Sequence, residues 1–259
     1  MTALLVQGLT ISLHGKPLVA GLDFSIEPGE KLALLGSSGS GKSLTAAALL
    51  GQLPAGMEAT GMLRVNGKEI PLRGRRLAGR EFAAIHQNPA AALNPLVRLG
   101  RQLAMPLRNA GLSGREAREI SRELLASVGL ADADRMLRSF SGELSGGQLQ
   151  RVCIALALAC RADILVADEP TTALDVVNQA RVLEILAGVP STAGGLLLIT
   201  HDLAAAEQIC GRAVVLQDGR KIEEAHMPEL IARPRHPYTA AMVDSARSSF
   251  APPLEVAAA

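Results

Sequence analysis

A glycine-rich segment, residues 36–43, constrains the fold of this chain more than any other feature. It reads Gly-Ser-Ser-Gly-Ser-Gly-Lys-Ser and fits the pattern G-x-x-x-x-G-K-[ST] at every fixed position. A short apolar run, Lys31–Leu35, precedes it, and the Ala/Leu-rich residues 44–50 follow it. The sequence therefore predicts a buried strand, a glycine loop and a helix in that order.

The residue types in this segment suit the binding of a pyrophosphate group. Glycine lets the backbone approach a phosphate closely with its N–H groups pointing inward, and the N-terminus of the following helix adds partial positive charge. Lys42 is placed to reach the β- and γ-phosphates of a nucleotide, and the Ser43 hydroxyl is placed to hold Mg²⁺. The alternative is an ordinary Gly/Ser-rich turn, so the residues further along the chain decide between the two.

Composition favours one large domain with subdomains. The chain has 259 residues, of which 48% are hydrophobic and only 2% aromatic, so Leu, Val, Ile and Ala must build its core. The net charge of +1 gives no case for nucleic-acid binding by bulk electrostatics. Cys153, Cys160 and Cys210 are odd in number and contain no C-x-x-C pair, which favours a reducing cytoplasm over a disulfide framework or a metal site.

No stretch of the sequence is typical of a secretion signal or a membrane-spanning helix. The first residues carry no basic segment ahead of an apolar core. The longest apolar runs, such as residues 152–160, fall well short of the ~18 residues that a spanning helix needs. If the protein works at a membrane, we expect another chain to cross it.

Alternating apolar and polar residues predict a small antiparallel sheet beside the nucleotide core. Its strands are expected at residues 4–13, 19–26 and 61–67, and a closing hairpin is expected at residues 214–217 and 220–222. Residues 99–137 favour helix, which implies an all-helical insert between Gln87 and Ser145. A further apolar helix is expected at about residues 149–160, and residues 171–175 are expected to start the next one. The Pro-rich residues from His226 onward are expected to be less regular.

Three further apolar runs end in polar residues, as strands do at the carboxyl edge of a parallel sheet. The runs and the residues that follow them are 82–85 with Gln87, 164–167 with Asp168 and Glu169, and 196–199 with His201. Because such ends meet at one edge of a sheet, we expect these side chains to surround the same ligand.

Each of these polar residues has a function suited to phosphate chemistry. Asp168 is suited to hold Mg²⁺ through water, and Glu169 to polarise the attacking water. Gln87 is placed for ligand contacts, and His201 for contact with a γ-phosphate. Each has a structural alternative. Gln87 could be a polar loop residue, Asp168 and Glu169 a solvated acidic turn, and His201 a structural histidine.

A second segment, residues 144–148, predicts another anion-receptive helix start. It reads Leu-Ser-Gly-Gly-Gln, and a serine before two glycines offers a hydroxyl, close backbone approach and the positive end of a helix dipole. Residues 36–43 and 144–148 can contact the same nucleotide only if the fold bends back on itself or if two copies of the domain share the nucleotide. We favour two copies.

With these residues in place, the chain resembles the nucleotide-binding subunit of an ABC transporter over nearly its whole length. The motifs follow in the family's order: the phosphate loop at 36–43, the Q-loop at Gln87, the signature at 144–148, Walker B at 164–169, the D-loop at 173–175 and the switch histidine at His201. The resemblance implies an α/β fold of the P-loop NTPase (ABC ATPase) type, with an antiparallel β subdomain and an inserted α-helical subdomain.

The resemblance also implies what the protein binds and assembles with. ATP with Mg²⁺ would lie between the phosphate loop of one subunit and the signature of another in a head-to-tail dimer. ATP binding closes the dimer, hydrolysis opens it, and the helical insert with the Q-loop passes that motion to the membrane. The expected partners are two membrane-spanning permease subunits, a second ATP-binding subunit (a copy or a related chain) and, indirectly, an extracytoplasmic solute-binding protein. The expected location is peripheral, on the cytoplasmic face of the cell membrane.

Carried over residue by residue, the resemblance assigns three sets of site residues. The catalytic set is Glu169, His201 and Gln87. The metal set is Ser43, Gln87 and Asp168. The nucleotide set is Gly36, Ser37, Ser38, Gly39, Ser40, Gly41, Lys42, Ser43, Leu44, His14, Ser145, Gly146, Gly147, Gln148 and Asp175.

The domain organisation that we expect is a single ABC ATPase domain over residues 1–259. Residues 1–87 and 161–225 would form the nucleotide-binding core with the β subdomain. Residues 88–160 would form the helical subdomain with the signature, and residues 226–259 a C-terminal tail.

One departure from the family concerns the base of the nucleotide. Family members usually place an aromatic residue before the first turn to stack on adenine, whereas this chain has Leu13 and His14 there. Imidazole stacking or apolar contact by these residues is the expected substitute.

Two local segments narrow the branch of the family. Residues 87–95 and the sequence His-Pro-Tyr-Thr at 236–239 resemble the peptide/nickel importer group. The short chain after that segment, with Leu-Thr after the phosphate loop, favours the nickel-import type over di- or oligopeptide import. The five histidines form no metal-ligand cluster in sequence, so we expect other subunits to handle any nickel.

Two other functions belong to different classes. A soluble ABC ATPase acting on ribosomes or DNA usually carries two cassettes, a long coiled-coil insertion or zinc-binding cysteines, and this sequence has none of them. A regulator that binds ATP without turnover does not need both Glu169 and His201. The expected activity is therefore ATP hydrolysis coupled to solute import.

Overall fold

The computed structural model describes residues 2–73, 80–172, 174–189 and 194–249. The strands are β1 (Leu4–Leu13), β2 (Lys16–Ile26), β3 (Lys31–Leu35), β4 (Met57–Val65), β5 (Lys68–Glu69), β6 (Phe82–Ile85), β7 (Ile164–Asp168), β8 (Gly195–Thr200), β9 (Arg212–Gln217) and β10 (Arg220–His226). The helices are α1 (Lys42–Leu50), α2 (Pro89–Ala92), α3 (Leu99–Asn109), α4 (Gly114–Ser127), α5 (Ala133–Arg138), α6 (Gly146–Ala159), α7 (Val176–Ala187), α8 (Leu203–Ile209), α9 (Met227–Ala232) and α10 (Pro237–Ser249).

The strands form two sheets. The larger has six strands in the order β10-β9-β3-β8-β7-β6, and the smaller has four in the order β2-β1-β4-β5. All neighbours in the larger sheet run parallel except β10, which returns antiparallel to β9. The smaller sheet is antiparallel throughout. The sheet expected from residues 4–13, 19–26 and 61–67 and the closing hairpin are both confirmed.

The larger sheet is covered on both faces, and β3 shows how. Leu32 and Leu34 are fully buried on the face toward the antiparallel sheet and α1. Ala33 and Leu35 are fully buried on the opposite face, in a core that α6, α7 and α8 complete. A strand with apolar residues on both faces reads as a continuous hydrophobic run, which is why β3, β7 and β8 are visible in the sequence.

Three hairpins turn on two consecutive residues with left-handed backbone. At Asn66 and Gly67, φ is 49° and 79°, and at Asp218 and Gly219 it is 49° and 75°. The first turn, between β1 and β2, places His14 at φ 49°. Asn, Asp and His tolerate this conformation better than other residues with a Cβ, and glycine tolerates it best.

Helices α2 to α5 occupy the chain between Gln87 and Ser145, as the helical pattern predicts. Helix α3 buries Leu99, Leu103 and Leu107, a stripe spaced four residues apart. Helix α4 begins with a capping box in which Ser113 and Glu116 satisfy each other's backbone N–H groups.

The boundaries of three elements differ from the sequence expectation. Helix α6 begins at Gly146 instead of about residue 149 because Ser145 and Gln148 form a capping box. Helix α7 begins at Val176, after residues 171–175, because Asp175 is its N-cap. The expectation of an irregular chain from His226 is wrong for residues 227–249, most of which are helical in α9 and α10. None of the helices in the described ranges is both long and apolar enough to cross a bilayer.

Candidate active site

The order of the parallel strands brings the polar strand ends together. The phosphate loop follows β3, His201 follows β8, Glu169 follows β7, and Gln87 comes shortly after β6. These four strands are consecutive neighbours in the order β3-β8-β7-β6. Their carboxyl ends therefore form one edge of the sheet, the usual place of ligand contacts in an open α/β sheet.

The phosphate loop wraps around the ammonium group of Lys42. Lys42 is buried, and its Nζ donates to the carbonyl oxygens of Gly36 and Ser37 at 2.8 Å each. Burial lowers the pKa of Lys42, and the nearby carboxylates of Glu169 and Asp168 partly oppose that shift. A charged amine held this way presents a positive charge inside the loop.

Glycine is required in this loop for steric reasons. Gly41 has φ 103°, and a Cβ there would lie 2.7 Å from Cγ2 of Val19. A Cβ on Gly36 would lie 2.4 Å from the carbonyl oxygen of Leu216. Helix α1 starts directly after Gly41 with no side-chain cap, which leaves its first N–H groups available to an anion.

Ser43 and Asp168 form a pair of oxygen ligands beside the loop. The Ser43 hydroxyl donates to Oδ1 of Asp168 at 3.2 Å. Burial raises the pKa of Asp168, and the hydrogen bond from Ser43 opposes that rise. A hydroxyl and a carboxylate on the exposed side of a phosphate loop fit the oxygen-ligand preference of Mg²⁺.

Glu169 is the most constrained side chain of the edge. Its φ is 46°, left-handed backbone that is strained for a residue with a Cβ. The hydroxyl of Thr172 donates to Oε2 at 2.8 Å, Nε2 of Gln87 lies 3.4 Å from the same oxygen, and Nδ1 of His201 lies 3.2 Å from Oε1. Burial would raise the pKa of Glu169, but the hydrogen bonds from Thr172 and His201 outweigh it and hold the pKa below its usual value.

The second predicted anion site lies at the start of α6, whereas the phosphate loop lies between β3 and α1. Ser145 and Gly146 are exposed at the start of α6, and Ser145 Oγ accepts from the N–H of Gln148 at 3.3 Å. Within the described ranges, no hydrogen bond joins residues 145–148 to residues 36–43. The two motifs of one copy therefore do not bond to each other directly in these ranges.

The D-loop residues lie next to the signature segment. Asp175 caps α7 by accepting from the backbone N–H of Asn178 at 2.9 Å. A Cβ on Gly147 would lie 2.3 Å from Oδ1 of Asn178, so the starts of α6 and α7 are in contact. Ala173, the first residue of the predicted D-loop, lies outside the described residues.

His14 is exposed at the first hairpin turn, between β1 and β2. Its ring lies near Gly56, where a Cβ would come within 3.5 Å of the ring carbon Cε1. No contact joins it to the phosphate loop among the described hydrogen bonds, so its assignment to adenine stays a prediction.

Sequence reasoning missed three residues that organise this edge. Thr172 orients Glu169, and the buried Gln150 of α6 donates to the carbonyl oxygen of Pro170 at 2.7 Å. The hydroxyl of Tyr238 accepts from the backbone N–H of Ser37 at 2.6 Å. Tyr238 is the only tyrosine of the chain, which was the one available signal.

The fold and this edge define a P-loop ATPase, and comparison with known proteins specifies the kind. The family model described as ABC transporter matches residues 19–172. The nickel import ATP-binding protein NikD of Rhodospirillum rubrum is 42% identical over 243 residues, which cover 92% of each chain. The oligopeptide transport ATP-binding protein OppD of Mycobacterium tuberculosis is 38% identical over 92% of this chain, which spans 40% of that longer protein. A dimeric ATP-binding cassette solved in a post-hydrolysis state with ADP and phosphate has a TM-score of 0.72 at 25% identity, over 86% of this chain and 98% of that one.

This chain belongs to the ABC transporter family. The predicted fold class, the predicted resemblance to ATP-binding subunits of peptide and nickel importers, and the predicted ATP hydrolase activity are confirmed by these relationships. ATP binding follows from the family.

Proposed function

We propose that this chain is the ATP-hydrolysing subunit of a solute importer and that the strand-end cluster is its catalytic centre. The observation that carries the proposal is the position of Glu169, whose carboxylate is fixed by Thr172, His201 and Gln87 at the same sheet edge as the phosphate loop. A fixed, ionised carboxylate beside a triphosphate site is suited to accept a proton from an attacking water.

Each residue of the cluster has a separate task. The loop amides and Lys42 would bind the triphosphate and stabilise the negative charge that develops on the γ-phosphate. His201, next to Glu169, would donate a hydrogen bond to that phosphate. Ser43, Asp168 and Gln87 would hold Mg²⁺, which neutralises phosphate charge when it is bound. Glu169 orients the water and takes its proton.

We further propose that a second ATP-binding subunit completes the site with its signature segment. Ser145 and Gly146 are exposed at a helix N-terminus, and the adjacent start of α7 exposes Val176 and Val177, each 80% exposed. Apolar side chains this exposed to solvent, beside a helix start that can bind an anion, are typical of a surface that another protein covers. Asp175 directly precedes Val176 as the N-cap of α7 and would contact the partner at the same surface.

The helical insert is the proposed contact with membrane-spanning permeases. ABC ATPase subunits of importers work with permease subunits, and Leu96 (86% exposed) and Met105 (60% exposed) are apolar side chains that project from this insert. Leu96 follows the Q-loop by nine residues in sequence. A permease docked here would sense movement of Gln87 and place the subunit on the cytoplasmic face of the membrane, with a solute-binding protein on the other side.

The proposed cargo is nickel or a nickel chelate, with di- or oligopeptides next. The identity to the nickel import protein of R. rubrum, together with the near-complete coverage of both chains, supports nickel. The identity to the oligopeptide transport protein keeps peptides as the second cargo.

Two substitutions test the motor function. Lys42→Ala removes the buried charge of the loop and should abolish nucleotide binding or turnover. Glu169→Gln should bind ATP with nearly unchanged affinity and lose at least about a hundred-fold in kcat, because an amide cannot take the proton. Phosphate release and nucleotide binding, measured on the same preparations, separate the two effects. Wild-type turnover in Glu169→Gln would show that the assigned base is wrong.

The cargo is tested in the host cell. Deletion of the gene should reduce uptake of radioactive nickel while leaving uptake of labelled dipeptides unchanged, and the Lys42→Ala chain should fail to restore it. Loss of dipeptide uptake with normal nickel uptake would replace nickel with peptide as the cargo.

A further inference from the structure

Tyr238 joins the C-terminal helix to the phosphate loop across most of the sequence. Its hydroxyl accepts a hydrogen bond from the backbone N–H of Ser37 at 2.6 Å, although the two residues are 201 positions apart. The carbonyl oxygen of Ser37, in the next peptide unit, is also held, because it accepts from Lys42 Nζ at 2.8 Å and from the N–H of Ser40 at 3.2 Å. The second residue of the loop is therefore fixed from both sides.

The position of Tyr238 is set by a buried carboxylate on β10. Glu223 is 7% exposed and accepts the backbone N–H groups of Arg235 and His236 at 2.9 and 3.1 Å. The N–H of Tyr238 then donates to Nδ1 of His236 at 3.1 Å. These bonds fix the chain just before and at the start of α10, so the tyrosine ring does not depend on surface packing alone.

The body of α10 is anchored in the main core. Val243 is buried, and Tyr238 and Met242 pack against the large core on the side of α8. Tyr238 and Met242 also line the same cleft as His201 and Leu203, the residues at which the switch segment becomes α8. The Tyr238 side chain thus lies between the phosphate loop and the start of α8.

We propose that Tyr238 is a positioning residue for the nucleotide, which it serves by fixing Ser37 so that the following loop amides stay directed toward the triphosphate. The proposal rests on the proposed ATP site. A loop that is ordered before binding loses less conformational freedom when the nucleotide arrives, so the affinity is higher. The bond lies at the start of the loop and reaches no reacting atom, so it supports ATP and ADP alike.

This arrangement predicts that the Tyr238 hydroxyl stabilises the bound nucleotide equally in the ground state and the transition state, and so contributes nothing to kcat. Removing an interaction that ground state and transition state share raises KM and leaves kcat unchanged. Two other roles for the same contact predict different results. A purely structural contact would lower only thermal stability, and a hydroxyl that competes with phosphate for the Ser37 N–H would weaken binding, so that its removal would tighten it.

The test is Tyr238→Phe, which keeps the ring in the core and removes only the hydroxyl. Affinities for ATP and for ADP, both with Mg²⁺, are measured by calorimetry, and KM and kcat by phosphate release. We expect both affinities to weaken by about five-fold, the scale of one lost hydrogen bond, with KM rising equally and kcat unchanged. Ser248→Ala, at the other end of α10, is the matched control because its hydroxyl donates only to the carbonyl oxygen of Asp244; it should change neither.

Three results would overturn the proposal. Unchanged affinities, with or without a lower Tm, would make the contact structural. Tighter binding would make the hydroxyl a competitor of the nucleotide. A fall in kcat at constant KM would place Tyr238 in the catalytic step. If the unmodified protein itself fails to bind ATP, the proposed function is wrong. Measuring the unmodified protein beside Tyr238→Phe distinguishes this outcome from the three above.

Discussion

Thr172 shows how a single side chain can fix the orientation of the proposed catalytic carboxylate, that of Glu169. Glu169 directly follows β7, and its backbone N–H donates to the carbonyl oxygen of Ile199 on β8. Its left-handed φ turns the chain out of the sheet, and the Thr172 hydroxyl then holds the carboxylate. Strain of this kind persists only where the surroundings fix it.

Substitution of Thr172 by valine should lower kcat by about ten-fold while leaving the affinity for ATP unchanged, because the carboxylate loses an orienting hydrogen bond but stays in place. Thr171→Val is the matched control, one residue away on the same turn, and it should keep normal turnover. Single-turnover phosphate release and ATP titration measure the two quantities. Equal losses in both variants would mean that Thr172 acts only by supporting the turn.

His14 combines a backbone role with a proposed contact to adenine. Because its φ is 49°, a tyrosine at this position would pay backbone strain, whereas asparagine adopts this conformation readily. His14→Asn therefore removes the imidazole without disturbing the turn. We expect the KM for ATP to rise by about five-fold with kcat unchanged, since ring stacking contributes on the order of 1 kcal/mol. An unchanged KM for ATP would remove His14 from the adenine site.

At the scale of elements, the C-terminal segment shows what sequence reasoning can miss. Its prolines suggested an irregular tail, yet Pro228 lies in the first turn of α9 and Pro237 begins α10. Proline suits these positions because its missing N–H has no intrahelical acceptor there and its φ is already helical. The prolines at helix starts could therefore be read from the sequence. The contact of Glu223 with residues 235 and 236 could not, because it joins separate segments and no sequence pattern indicates it.

Glu223→Gln tests this anchor through pH. Burial would raise the pKa of Glu223, but the nearby Thr239 hydroxyl and the hydrogen bonds from the N–H groups of Arg235 and His236 lower it below its usual value of 4.5. A lowered carboxyl pKa stabilises the fold above pH 4.5, and that contribution is lost as the pH falls through the folded value. The variant should lose about 1–3 kcal/mol of stability at pH 7, because the two N–H groups donate to different carboxylate oxygens and the amide has an NH2 group in place of one of them.

Denaturation of both chains from pH 7 downward measures the effect. The wild-type chain should lose its advantage over Glu223→Gln as the carboxyl group is protonated, so that the two curves converge in acid. A constant difference at all pH values would show that the charge of Glu223 does not matter to the anchor.

For the whole molecule, the sequence predicts which segments form strands but does not predict the order of those strands in the sheet. The runs that became β3, β7 and β8 are buried on both faces, so each was visible as an apolar stretch with a polar end. Their adjacency in the order β3-β8-β7-β6 depends on non-local pairing, which no local pattern encodes. The contacts of Thr172, Gln150 and Tyr238 depend on that packing in turn. The motif residues could be predicted because each follows directly from its own strand or helix start.

The separation of the two phosphate motifs is also a property of the whole molecule. The phosphate loop lies at the sheet edge, while Ser145 caps α6, whose Gly147 lies next to Asn178 of α7. Ser145 and Gly146 are exposed at their helix start, and within the described ranges no hydrogen bond joins them to the phosphate loop. This is the arrangement expected of a subunit that shares its nucleotide with a partner.

The distance from Ser145 Oγ to the nearest γ-phosphate tests the account most directly. It should be measured in the structure of the complete assembly, carrying Glu169→Gln and purified with MgATP and its partner subunits. We expect a hydrogen-bond distance of about 3 Å to an ATP whose phosphates are bound by the phosphate loop of the opposing subunit. A closed, ATP-loaded assembly in which Ser145 lies far from every γ-phosphate would contradict it.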